Sequence, residues 1–443
     1  MQICNKWSNG HHIFPIKHYF RYHVEHIHGS DNGMAILNPG FSFGVLLIAV
    51  LCCFLLAVVS PPQKADSRYQ TIDGLRGYLA LFVFIHHASV WHLFMATGEW
   101  TVPDSNLYTH LGQTSVTFFF MITGFLFYGK LLGKDAKAID WPKFFVARTL
   151  RLGPLYVAAM IALMTLVFLQ SGANLVDSPG YILRSIARWM LFTIPGAPSV
   201  NGVYAPMLIA GVNWSLPYEW YFYLAVPLLA FVRRIQVPWP FMLAGVAMMT
   251  FAFANGASTV FMSIFGGGIA AAYAVRNAAF VSFARSKVAS LLVMVLVGTV
   301  VILFDTAYQY PPLIILAVAF SLIAGGADLF GALRARPSHV LGELSYSIYL
   351  LHGMLLFVTF KYVTGYEVAR SMSAVSYWAV VGAVVPALLI ISKLAFHAIE
   401  LPSMRIVPLV MAMLRAQKLG LGRIKADDPL IDRANEDRGG PAF

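Results

Sequence analysis

Long apolar runs, separated by short breaks that hold most of the Lys and Arg, set the outer limit on what this chain can fold into. Apolar residues make up 58% of the 443 and charged residues only 12%, whereas a soluble globular chain is nearer half apolar and a quarter charged. So little charge cannot cover the outside of several soluble cores. The 14% aromatic content argues against a disordered or collagen-like chain. Three cysteines, two of them adjacent inside an apolar run (Cys52 and Cys53), argue against a disulfide scaffold. The net charge of +11 fits nucleic acid or membrane lipid. Its confinement to the breaks between apolar runs selects lipid, and no nucleic-acid partner is expected. The fold class that follows is an all-α polytopic membrane helix bundle.

A bilayer core takes roughly 20 mostly apolar helical residues. A first run, 43–59, ends at a polar break containing Lys64, Asp66 and Arg68. Further candidates lie near 75–95, 111–132, 154–170, 216–232, 239–255, 258–276, 287–304, 311–326, 340–361 and 376–397. The expectation is about ten core transmembrane helices over 68–405, with one extra N-terminal span at 41–60. Residues 1–40 are expected to be an unstructured extension, rich in histidine (His11, His12, His18, His23, His26, His28). A metal-binding arm, or translated sequence upstream of a start at Met34, would read the same way. Residues 406–443 are expected to be a disordered, charged cytoplasmic tail.

The positive-inside rule gives an orientation. Alternate breaks hold Lys64 and Arg68; Lys130, Lys134, Lys137, Lys143, Arg148 and Arg151; Arg233 and Arg234; Arg276, Arg285 and Lys287; Arg334 and Arg336; and Arg405, Arg415, Lys418, Arg423 and Lys425. The intervening stretches 96–110 and 305–310 have none, and 171–215 has only Arg184 and Arg188. The C-terminus and the start of the 75–95 helix are therefore expected on the cytoplasmic side of the plasma (inner) membrane.

Ionisable side chains inside spans are costly, so each is a candidate for function. Arg76 and His87 are 11 positions apart, three turns plus roughly 20°, and so share one helix face with a rise of about 16 Å between them. His86 points about 100° away. Arg148 and Arg151 are one turn apart, and two planar guanidinium forks suit a phosphorylated ligand. Singly, each of these could be a snorkelling Arg or a packed His. Glu219 opens the 216–232 span from the outer side, where the helix dipole favours an anion. Ser345, Tyr349 and His352 follow i, i+4, i+7 on one stripe, with His352 at the depth of His87. Glu400 lies at the level of the arginines and is expected to partner one of them. The Gly266–Gly268 run lacks the features of a phosphate loop and is expected to permit close helix packing. No Cys/His cluster has zinc spacing, and no metal is expected.

In order along the chain, these elements resemble the membrane-bound acyltransferase-3 family, which O-acylates carbohydrates and other hydroxyl compounds. Its Arg-x10-His motif is matched by Arg76 and His87, and its Phe-Phe-x-x-Ser-Gly-Phe segment by Phe119 to Phe125, with Thr123 in place of Ser. Arg148 and Arg151 match Arg-x-x-Arg, and Trp214 to Glu219 match Trp-Ser-Leu-x-x-Glu. Ser345 to His352 match Ser-Tyr-x-x-Tyr-Leu-x-His, and Glu400-Leu401-Pro402 match Glu-x-Pro. The span at 43–59 departs from the family's ten-span core.

The resemblance implies acyl-CoA as a cytoplasmic donor, acetyl-CoA before longer chains, and a hydroxyl acceptor reached from the membrane or its far side. The CoA phosphates are then expected on Arg76, Arg148 and Arg151 near Glu400, with His87 as general base, His352 a second polar contact and Glu219 facing the acceptor. A polysaccharide or glycolipid is the expected acceptor. A transporter or flippase would use the same residues as a proton or substrate path, but no half-to-half motif repeat is present and the arginines lie on one side.

The orientation is open to test. In intact cells and a background without the native cysteines, an impermeant thiol reagent is expected to modify Asp104→Cys and spare Lys137→Cys. Labelling at 137 with none at 104 would overturn the map.

Overall fold

The structure, a computed structural model, describes residues 35–59 and 69–418 apart from 135, 137, 138 and 173. The His-rich stretch 1–33, Lys64, Arg68 and the tail beyond 418 lie outside the described residues. A helix stands at every expected apolar segment. These are α1 (Pro39–Val59), α2 (Gln70–Thr97), α3 (Asn106–Leu131) and α4 (Trp141–Gln170). After a short amphipathic α5 (Pro179–Met190) come α6 (Ser215–Val232), α7 (Trp239–Ala254), α8 (Thr259–Ala274), α9 (Lys287–Leu303) and α10 (Tyr310–Gly325). Then α11 (Arg336–Glu343) leads into α12 (Ser345–Val358), and α13 (Ala374–Ala395) follows.

Among the described residues, 6 helical stretches are long and apolar enough to cross a bilayer, begun by α1, α2, α3, α4, α12 and α13. The helices α7, α9 and α10 are apolar but shorter, and α8 bends by 107° into a short helix, Ala278–Ala284. This is the build of a multi-pass membrane protein.

Packing follows the rule for helices in hydrocarbon, where lipid is as apolar as Leu and close contact of small residues brings helices together. On α1 the inward stripe is Val45, Ala49, Cys53 and Ala57, while Phe43, Leu47, Leu51, Phe54, Leu55 and Val58 face out. Thus α1 is peripheral, only 28% buried, and lies against α13 and α11, whereas α3 is 83% buried at the centre. The α3–α8 contact needs glycine on both sides. A Cβ on Gly268 would stand 1.9 Å from the Met121 carbonyl oxygen, and one on Gly124 2.3 Å from that of Phe265. Of the expected small-residue run, Gly267 and Gly268 make the contact, whereas Gly266 has nothing within 4 Å. On the other side of α3, the central α2 packs against α3, α11 and α12.

The sequence expectations need correction at four places. The 340–361 span is broken at Leu344, so α12 starts at Ser345. Helix α4 begins at Trp141 rather than near 154, capped by the Asp140 carboxylate, which accepts the Lys143 N–H at 3.0 Å. Pro154, read as a helix start, lies inside α4. Residues 35–40, expected to be unstructured, are docked: the Trp378 indole donates to the Ile36 carbonyl at 2.9 Å and the Tyr108 hydroxyl to that of Asn38 at 3.1 Å. Residues 407–418, expected to be disordered tail, form α14 (Val407–Lys418) against α4, with Arg415 paired to Asp140 at 2.8 Å. The helix is too short to span a bilayer, but Val407 and Met411, one turn apart, are buried.

Overpacking at the α3–α8 contact is expected to cost about 1–3 kcal/mol. In detergent, Gly268→Ala should melt clearly below wild type, while Gly266→Ala, facing open space, should not. Equal melting of the two would contradict the close approach.

Candidate active site

The 11-residue spacing on α2 separates two adjacent histidines. His86 turns toward α3, where its Nδ1–H donates to the Tyr108 carbonyl at 2.7 Å and its ring fills the space beside Gly112. His87 turns the other way, and its Nδ1 lies 2.9 Å from Nε2 of His352 on α12. The two ring planes are 25° from parallel. His352 is 0% exposed and its Nδ1–H donates to the Ile348 carbonyl at 3.0 Å. His87 alone of the three keeps open surface, while His86 and His352 are buried. The two histidines read as lying at one depth are in contact.

Arg76, toward the start of α2, lies within electrostatic reach of Arg148 and Arg151 on α4. All three are half-buried. The Arg148 guanidinium stands over the Phe127 ring, 4.9 Å from its centroid, a cation–π contact. Arg151 Nη1 donates to the Met404 sulfur at 2.8 Å. The ion pairs within 4 Å among the described residues are Arg334–Asp328 and Arg415–Asp140, so none of the three guanidiniums is consumed by a carboxylate.

Glu219 is displaced from its expected place at the outer edge. The chain before α6 folds inward as Ala205–Leu208 and Val212–Trp214, with Ala205, Leu208, Ile209, Val212 and Asn213 buried. It presses so closely on α12 that a Cβ on Gly353, next to His352, would stand 2.3 Å from the Ile209 carbonyl. Irregular backbone at such depth survives only inside protein or beside a cavity. The start of α6 is therefore internal, and Glu219 falls within electrostatic reach of Arg76 and Arg148. The Tyr223 hydroxyl donates to its Oε2 at 2.8 Å.

Glu400, 1% exposed, closes the π-helical turn Phe396–Glu400. Its expected arginine partner is not in ion-pair contact: Arg151 and Arg76 are within electrostatic reach, and Ser347 donates to Oε1. The other oxygen has no hydrogen-bond partner. On the α12 stripe, Tyr349 and Ser215 share a hydrogen bond of 2.7 Å, while Ser345 Oγ has no partner.

Tyr223 and Ser347 were not singled out in the sequence. Tyr223 is four residues beyond Glu219 and so on its face, and Ser347 lies inside a motif already noted. Phe127 and Met404 carried no signal, since only the tertiary fold brings them to the arginines. Among the described residues no group of three or more His, Cys, Asp or Glu could hold a metal ion.

The chain belongs to the acyltransferase-3 family: a family model described as an acyltransferase domain matches residues 69–396. It is 28% identical to acyltransferase MdmB of Streptomyces mycarofaciens over 182 residues, 40% of this chain and 43% of that protein. It is 29% identical to nodulation protein 10 of Rhizobium leguminosarum bv. viciae over 183 residues, 39% of this chain and 47% of that one. The matches thus span less than half the length of these curated relatives. No solved structure matches.

Removing the partner of a buried polar group costs about 1–3 kcal/mol, more for a charged one. Ser347→Ala is therefore expected to lower the melting temperature more than Glu400→Gln, which keeps an acceptor for Ser347. The reverse order would show that the Ser347–Glu400 bond contributes little.

Proposed function

We propose that this protein transfers an acyl group, acetyl before longer chains, from cytoplasmic acyl-CoA to a hydroxyl of a polysaccharide or glycolipid at or across the plasma membrane. The observation that carries the reading is that α2 carries both Arg76, which joins Arg148 and Arg151 of α4 in a cluster with no ion pair among the described residues, and a histidine that keeps open surface. Arg76, Arg148 and Arg151 hold the CoA phosphates through bidentate hydrogen bonds. Glu219 and Glu400 temper the mutual repulsion of the three cations while the site is empty. The rise of about 16 Å from Arg76 to His87 lets an extended pantetheine arm carry the thioester to the histidine.

His87 takes the proton of the acceptor hydroxyl as its oxygen attacks the thioester carbonyl carbon. Collapse of the tetrahedral intermediate breaks the C–S bond, and the proton passes from His87 to the departing sulfur. Such a base contributes roughly 10²–10⁴-fold. The acyltransferase domain spans 68–405, with α1 an added helix packed on its flank and the C-terminus cytoplasmic.

Acetyl-CoA binding and acetyl transfer to cell-surface glycans should be followed on the same set of variants. The double variant Arg148→Ala/Arg151→Ala is expected to lose acetyl-CoA binding, and Arg148→Lys to weaken it, because an ammonium has no planar fork. His87→Ala should bind acetyl-CoA yet lose transfer on the order of 10²-fold or more, while His86→Ala keeps much of its activity. An active His87→Ala protein would remove the proposed base, and unchanged binding by the arginine double variant would remove the donor site.

A further inference from the structure

We infer that His352 is a positioning residue: it fixes the tautomer of His87 so that Nε2, not Nδ1, is the nitrogen that takes the acceptor's proton. The inference rests on the reading of His87 as the base.

A neutral imidazole has one N–H donor and one acceptor nitrogen, and the partner of one nitrogen decides the state of the other. Nδ1 of His352 lies 3.0 Å from the Ile348 carbonyl oxygen, one turn back on α12. A carbonyl oxygen only accepts, so Nδ1 carries the proton and Nε2 of His352 offers a lone pair. That lone pair faces Nδ1 of His87 at 2.9 Å. Nδ1 of His87 therefore carries a proton and donates it to His352, with the Val83 carbonyl one turn back on α2 as a second acceptor near the ring, which leaves Nε2 of His87 bare.

The alternative is a doubly protonated His352 donating from both nitrogens. It would place a cation at a site 0% exposed, between the rings of Phe84 and Tyr349, with no carboxylate bonded to it. Burying an unpaired charge is far costlier than choosing a tautomer. His86 does not compete for the role, because its own Nδ1–H is engaged by Tyr108 and it meets the His87 ring at 66°.

The chain Ile348 carbonyl, His352, His87 thus runs in one direction. During transfer the hydroxyl proton moves to Nε2 of His87 as the new O–C bond forms. The resulting imidazolium keeps its Nδ1–H on His352, and the Nε2 proton leaves with the thiol when the C–S bond breaks. His352 neither gains nor loses a proton. With the opposite tautomer, His87 would present an N–H to the hydroxyl and could not act as a base.

The amides of Gln and Asn separate this role from packing. A Gln side chain places its terminal group near the position of the imidazole Nε2, and Asn near that of Nδ1. His352→Gln is therefore expected to keep an acceptor for His87 and hold kcat within about tenfold of wild type, whereas His352→Asn loses it by on the order of 10²-fold or more. The KM for acetyl-CoA should move in neither. Equal kcat in the two variants, high or low, would overturn the inference.

A second measurement does not depend on activity or on any His352 variant. Ring ¹⁵N NMR of the wild-type protein, with His87 assigned by difference from His87→Ala, is expected to show Nδ1 protonated and Nε2 bare. A protonated Nε2 with a bare Nδ1 would overturn the inference. Full activity in His87→Ala would instead sink the reading on which it rests.

Discussion

A polar or charged side chain enclosed by hydrocarbon must be satisfied by the protein itself or line a wet space, and the interior of this bundle is arranged around that constraint. His86 and His352 obey it by hydrogen bonding to neighbouring helices, and Glu400 does so through one of its two oxygens. Arg76, Arg148 and Arg151 obey it differently. They touch a ring, a thioether and one another's field, yet among the described residues no carboxylate neutralises any of them by contact. Half-buried guanidiniums left in that state suit a polyanion that supplies the missing charge.

The scaffold that holds these groups is built from close backbone approaches. The pair Gly124 and Gly268 lets α8 lie on α3, and Gly353 lets the chain before α6 reach the level of His352. That inward chain has a functional consequence. It starts α6 inside the protein, moves Glu219 to the arginines and puts Ser215 against Tyr349. Helix α2 ties the two ends of the site together, since one face carries both Arg76 and the histidine that meets His352. In the proposed reaction one phosphate ligand and the base are thereby carried by a single rigid element, which favours a fixed geometry at the reacting carbon.

Much of this was legible in the sequence because helical geometry is periodic. The Arg76–His87 spacing, the Arg148–Arg151 turn and the depth of His352 all follow from residue number and rise per residue, and His87 and His352 do meet. What periodicity cannot express is where a chain leaves the regular helix. The inward chain before α6, the break at Leu344 and the π-turn ending at Glu400 each shift a residue from its simple position. Glu219 was misplaced for that reason, and Glu400, though at the level of the arginines, bonds Ser347 instead of one of them. The helix at 407–418 was missed because its apolar run is too short to read as a span. Contacts such as Phe127 under Arg148 join residues distant in sequence and leave no local trace.

The central claim is that one continuous site runs from the arginine cluster to the open nitrogen of His87. The most direct measurement is an experimental structure of the full chain with a non-hydrolysable acetyl-CoA analogue. The account predicts the analogue's phosphates on Arg76, Arg148 and Arg151, and its acyl end beside His87 Nε2 with room for an acceptor hydroxyl within hydrogen-bond reach of both. Phosphates bound away from the arginines, or an acyl end that does not approach His87, would contradict it.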